Sequence, residues 1–165
     1  MLEEEWALIR EFPNYVVSNQ GRVMNEATRR VLRDSVTEHG VVKVGLVRGG
    51  RQYTRSVKLL VAEAFVEGET DHFDTPIHLD NDQSNNRATN LVWRPRWFAW
   101  KYARQFEDCG DYQLGGLYLC TQTGEHYETI YEIGTKYGLL FNDVLHHIWF
   151  GKFLFPSGLE FVVAK

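Results

Sequence analysis

Cysteine is scarce in this chain. Its 165 residues hold two, Cys109 and Cys120, too few for a disulfide framework and without C-x-x-C spacing. Adding His126, His146 and His147 gives no pair with zinc-finger spacing, so a structural zinc site is not expected. Long apolar runs are missing as well. None approaches the roughly 20 residues that a membrane-spanning helix needs, so no membrane partner is expected. The opening MLEEEWALIREF has neither the basic segment nor the apolar stretch of a secretory signal. A reducing, intracellular compartment follows as the expectation. Repeats and low-complexity tracts are absent, and aromatics at 14% argue against disorder.

An excess of positive charge is also lacking, since the formal net charge is −4. Its distribution matters more than its sum. Residues 1–105 carry 15 Lys/Arg against 14 Asp/Glu, whereas residues 106–165 carry 3 against 8. A surface that contacts phosphate therefore belongs in the first hundred residues, and a local basic stripe is enough to make one. One such group is Lys43, Arg48, Arg51, Arg55 and Lys58, in a stretch from Val41 to Ala62 without a single acid. A second is Arg94, Arg96, Lys101 and Arg104.

Periodicity supplies the elements. YVVSNQGRV (15–23) reads as strand, turn and returning strand, and VVKVGLVRGGRQYTRSVK (41–58) as a hairpin around Gly49-Gly50. VKLLVAEAFV (57–66) has one helical apolar face. TPIHLD and NLVW are short strands, and RWFAWKYARQF (96–106) is a loosely amphipathic helix. Trp93, Trp97 and Trp100 read as packing residues rather than base-stacking platforms. Acidic, glycine-bearing EDCGDYQLGG (107–116) marks a boundary. Beyond it come strand, helix, glycine turn, helix and strand. Thr129 and Glu132 have capping-box spacing, Gly138 and Gly151 can end the two helices, and Asn142 can cap the second. The expected class is α+β, divided as an N-terminal antiparallel β module (1–56), a β-β-α core (57–106), a linker (107–116) and a β-α-α-β module with helix-turn-helix geometry (117–165).

Three stretches together resemble the phage HNH homing endonucleases. WALIREFPNYVVSNQGRV is similar to their N-terminal nuclease-associated module, HLDNDQSNNRATNLVW to the core of their His–Asn–His motif, and the segment from TGEHYETI to SGLEF to the small helix-turn-helix repeat often appended to them. SVKLLVAEAFV looks like the family's helix, with Lys58 where a histidine usually stands. The resemblance covers nearly the whole chain. It implies the cytoplasm of a phage-infected bacterial cell and a single divalent cation beside the scissile phosphate. A histidine in that site deprotonates the attacking water.

Carried onto this sequence, His78 matches the general base, and Asn90, twelve residues later, the asparagine that orients it. Asn85 and Asn86 fall between them and read as loop residues that satisfy backbone groups. The family's cation ligands stand immediately before the base and nine residues after the middle asparagine. Those positions are Ile77 and Ala99, and neither side chain can coordinate. The site is therefore expected to be catalytically degenerate, with no metal and no cofactor. An alternative strand, Asp71-His72-Phe73-Asp74, would make His72 the base with Mg²⁺ or Mn²⁺ in a still active nicking enzyme. His72 lies six residues too far from the asparagines for that pattern. The expected partner is duplex DNA, or a phage or host protein at the acidic C-terminal module, where Asp143 at the start of the second helix would repel phosphate.

Overall fold

The computed structural model describes residues 3–108, 110–113 and 115–164. Cys109 and Leu114 of the linker stretch, and the terminal Lys165, lie outside the described residues. Contacts divide the chain into two compact units, 1–96 and 97–165.

The first unit holds three antiparallel sheets and one helix. β1 (Trp6–Ile9), β2 (Phe12–Ser18), β3 (Val23–Asn25) and β4 (Arg30–Val31) pair in chain order. β5 (Ser35–Val36), β6 (Val42–Arg48) and β7 (Arg51–Ser56) form the second sheet. Gly49 and Gly50, at φ +57° and +75°, close its hairpin, because a tight two-residue loop needs positive φ at both central residues. β7 runs directly into α1 (Val57–Phe65). β8 (Thr75–His78) and β9 (Leu91–Arg94) make a two-stranded ribbon with His78 opposite Leu91. Pro76 is tolerated in β8 because the strand has a partner on one side only.

Alternation along these strands sends one face inward. Phe12, Val17, Val23, Val44 and Leu46 bury against Val57, Leu60 and Val61 of α1 and against Leu91 and Trp93 of β9. The Trp93 indole N–H, which must find an acceptor when buried, donates to Val66 O at 2.9 Å. That bond ties β9 to the end of α1.

The second unit opens within α2 (Arg96–Arg104), after that helix's first residue, and continues through 3₁₀ turns to β10 (Tyr118–Cys120), β11 (His126–Tyr127), α3 (Ile130–Tyr137), α4 (Phe141–Phe150) and β12 (Phe161–Val163). β10 lies between β11 and β12. Ile133, Leu139, Phe141, Val144, Leu154 and Phe161 form the core. Thr129 Oγ1 accepts from Glu132 N at 3.1 Å, while the Glu132 carboxylate reaches back to Glu128 N at 2.8 Å. Gly138 and Gly151 end α3 and α4 in the left-handed conformation, as helix C-termini favour. Asn142 does not cap α4. The helix begins one residue earlier, with Leu140 at its N-cap, and Phe141 N is met by Gln105 Oε1 at 2.8 Å. His147 accepts from Phe161 N at Nε2, which leaves Nδ1 to donate to Lys152 O.

Among the described residues no helix is long and apolar enough to cross a membrane.

Candidate functional site

The site grows from the end of β8. His78 is the last residue of that strand and is only 3% exposed. After it the chain turns through Asn81, at φ +60°, into a loop that holds itself together. Asp80 Oδ1 accepts from Asp82 N and from Asn90 Nδ2, and Asp80 Oδ2 from Asn85 Nδ2 at 2.6 Å. Asp82 Oδ1 accepts from Ser84 N and Ser84 Oγ. Asn90 uses both ends of its amide: Oδ1 accepts from Asp80 N, and Nδ2 also donates to Asn85 O. Short acids and amides are suited to this work because they replace backbone partners in tight turns.

Asn86 does something different. Its Nδ2 donates to Ser84 O at 3.3 Å, which fixes the amide orientation and leaves Oδ1 facing His78 Nε2 at 3.0 Å. Nε2 must then carry the proton, so the neutral ring keeps its lone pair on Nδ1. That nitrogen is buried and has no hydrogen-bond partner among the described residues. Burial pulls the imidazole below its ordinary value; the hydrogen bond to Asn86 opposes this, the nearby Lys58 charge adds to it, and Asp80 and Asp82 oppose it again. A buried neutral histidine with a fixed tautomer and a free lone pair can take up a proton.

A second contact reaches the loop from the N-terminal sheet. Asn19 O accepts from Ala88 N at 2.8 Å. Gly21, at φ +86°, approaches so closely that a Cβ there would stand 3.1 Å from Asn86 Cβ. The Ser18-to-Gly21 turn is thus part of the site's frame.

The structure separates the residues singled out in the sequence. His78, Asn85, Asn86, Asn90 and Lys58 gather around the loop, with Asn86 rather than Asn90 holding the imidazole. His72 is exposed on the bend before β8, where Thr70 Oγ1 accepts from its backbone N–H. In the β6–β7 hairpin, register puts Lys43 opposite Ser56 on one face, and Arg48, Arg51 and Arg55 on the other. The Arg48 and Arg55 guanidinium groups stack over Phe12 and Tyr53, and Arg55 pairs with Glu11 at 3.1 Å. Arg51 at the hairpin tip is exposed. Arg94 is buried and donates to Trp93 O at 2.8 Å.

On α2, Arg96, Lys101 and Arg104 are exposed. Trp97 and Trp100 were expected to pack inward, yet they are 54% and 60% exposed. Phe98 and Tyr102 take the buried face instead. Lys101 lies over the Trp97 ring and Arg104 over that of Trp100, each at i, i+4. Ala99 is on the same helix, and Ile77 is buried in β8. Among the described residues no three His, Cys, Asp or Glu side chains gather as a metal-holding group.

A buried strand histidine, an asparagine-braced loop and a return strand are the arrangement that the resemblance to the HNH homing endonucleases implies. The chain is 34% identical over 90 residues to DNA endonuclease I-HmuI of Bacillus phage SP01, covering 54% of this chain and 51% of that one. Two uncharacterized HNH endonucleases of Acanthamoeba polyphaga mimivirus are 31% and 30% identical over 83 and 89 residues, which is 21% and 26% of their lengths. The matched stretch thus spans about half or less of each of these relatives. A solved structure, described as DNA binding and cleavage by the HNH homing endonuclease I-HmuI, shares the fold at a TM-score of 0.56 and 22% identity, over 97% of this chain and 98% of that one. No family profile matches the chain.

Proposed function

We propose that this chain is a duplex-DNA-binding protein on an HNH homing-endonuclease frame, without the metal-dependent cleavage of that frame. One observation carries the proposal. The position immediately before the base is Ile77 and the one nine residues after Asn90 is Ala99, and hydrocarbon side chains offer no donor atom to a hard cation. Asp80, the nearest carboxylate in sequence, is committed to Asn85, Asn90 and Asp82 N. The residues present do not fit the ion. The modular division 1–56, 57–106, 107–116 and 117–165 belongs to the same reading.

Binding is supported by the exposed cations Arg51, Arg96, Lys101 and Arg104 and by a relative and a neighbour named for a DNA endonuclease and for DNA binding and cleavage. Phosphate contacts release counterions, so affinity should fall steeply with salt. Duplex binding followed by fluorescence anisotropy across a KCl series should give a log–log slope of about −3 to −4 if three or four such cations engage. A flat salt dependence, or no binding at low salt, would remove the DNA reading.

A second reading, a still active Mg²⁺- or Mn²⁺-dependent nicking enzyme, is favoured by one feature only. His78 keeps the tautomer and the free Nδ1 that a general base needs.

A further inference from the structure

α4 buries one face and leaves the other bare. Phe141, Val144, Leu145 and Ile148 turn inward onto the core of the second unit. The opposite face carries Asp143, His146 and Phe150 at i, i+3 and i+7, with Trp149 beside them. Gly151 ends the helix, and Lys152 and Phe153 follow. Trp149, Phe150 and Phe153 are 65%, 70% and 78% exposed. The Phe150 ring stands between an imidazole and an ammonium: His146 meets it edge-on with centroids 5.8 Å apart, and Lys152 Nζ lies 5.9 Å over it.

Single exposed rings are ordinary, but three within five residues make a patch. A buried aromatic side chain covers 150–250 Å², so at these exposures the three display roughly 400 Å² of apolar surface, which is the size of a functional patch. The face does not suit a DNA groove, because Asp143 would meet phosphate and Lys152 is the one cation beside it. Strand addition is closed off next to it. β12 is an edge strand, and the Phe161 N–H is already held by His147 Nε2 at 3.2 Å.

The charges on the face point to its occupant. Asp143 and Lys152 stand at opposite ends, nine residues apart, and neither forms an ion pair among the described residues. A two-fold interface must match itself, residue i meeting j and j meeting i. Two α4 helices laid antiparallel about an axis at the middle of the face do so: the acid of each copy meets the lysine of the other. The helix dipoles are then opposed as well. Covering both patches removes roughly 800 Å² of apolar area, and with the rim about 1,000 Å², the lower bound of a specific interface.

We propose that the bare face of α4 is a homodimer interface, with Trp149, Phe150 and Phe153 of two copies packed together and Asp143 of each beside Lys152 of the other. The proposal stands apart from the DNA reading, which uses cations on other elements.

The test is sedimentation velocity of the full chain from about 1 to 200 µM, the range expected of an interface this small. The wild type, Phe150→Ser, Asp143→Lys, Lys152→Asp and the double charge swap are compared at one low salt concentration, with urea melts to confirm that each folds. Wild-type mass should rise with concentration from one chain toward two. Phe150→Ser and each single charge reversal should weaken association at least about tenfold, and the double swap should restore it. Raising KCl should leave the wild-type dimer in place, because apolar contact is not screened. Wild type that stays monomeric throughout would overturn the inference and leave the face to a different protein. So would Phe150→Ser associating like wild type, or a double swap no better than the single reversals.

Discussion

At the scale of single residues, His78 turns burial into a pH dependence. Its folded-state pKa is lowered, chiefly by burial, while the unfolded chain titrates near the ordinary value of about 6.5. As pH falls, the unfolded state takes up its proton first. The stability His78 contributes is therefore complete above about pH 6.5 and is lost below it. Urea melts of wild type between about pH 7.5 and pH 5.5 should show the midpoint falling, and His78→Gln should flatten that fall. A midpoint that rises on acidification would contradict the assignment. Gly134 offers a second residue-scale test. A Cβ there would stand 2.3 Å from the Phe141 ring, and Phe141 is fully buried. Alanine improves helix propensity by about 1 kcal/mol, but overpacking costs about 1–3 kcal/mol and a fixed ring should let the clash win. Gly134→Ala should lower the urea midpoint; an unchanged midpoint would mean that α3 and α4 pack less closely than described.

Among the elements, the β6–β7 hairpin shows how a basic cluster divides its labour. Arg55 stacks on Phe12 and Tyr53 and pairs with Glu11, whereas Arg51 makes no such contact among the described residues. Arg55→Ala should destabilise by about 1 kcal/mol, mostly through the stack, because a partly exposed ion pair contributes little. Arg51→Gln should leave the melt unchanged and lower the salt slope of DNA binding by about one. If both variants affected stability equally, the division would be wrong. The hairpin, α1 and the caps at Thr129, Gly138 and Gly151 were legible because each is encoded within a few neighbouring residues. Four features were not. Leu140 serves as an N-cap because Gln105, thirty-five residues earlier in the chain, supplies an acceptor next to it, and no local pattern announces that. Trp97 and Trp100 share a helix stripe, but spacing identifies a stripe without saying whether it is covered. Which asparagine grips His78 depends on the path of the loop, and Asn85, Asn86 and Asn90 are equivalent by composition. The division of the hairpin cations needed the strand register, which the Gly49-Gly50 turn implies only once the hairpin is accepted.

For the whole molecule, a formal charge of −4 does not prevent DNA binding, because field and contact are local. Of the exposed cations, Arg51 lies at the β6–β7 hairpin tip and Arg96, Lys101 and Arg104 lie on α2, and the acid-rich third of the sequence follows them. Fold alone does not decide activity. The fold is shared with a solved HNH homing endonuclease, and whether this chain cleaves turns on two hydrocarbon side chains, Ile77 and Ala99, at positions where the resemblance places cation ligands. The most direct measurement is nicking of supercoiled plasmid by purified full chain with Mg²⁺ or Mn²⁺, run beside His78→Ala and His72→Ala. The account predicts no nicking above the level shared by both variants. Nicking by wild type that disappears in His78→Ala or in His72→Ala would contradict it and identify the base.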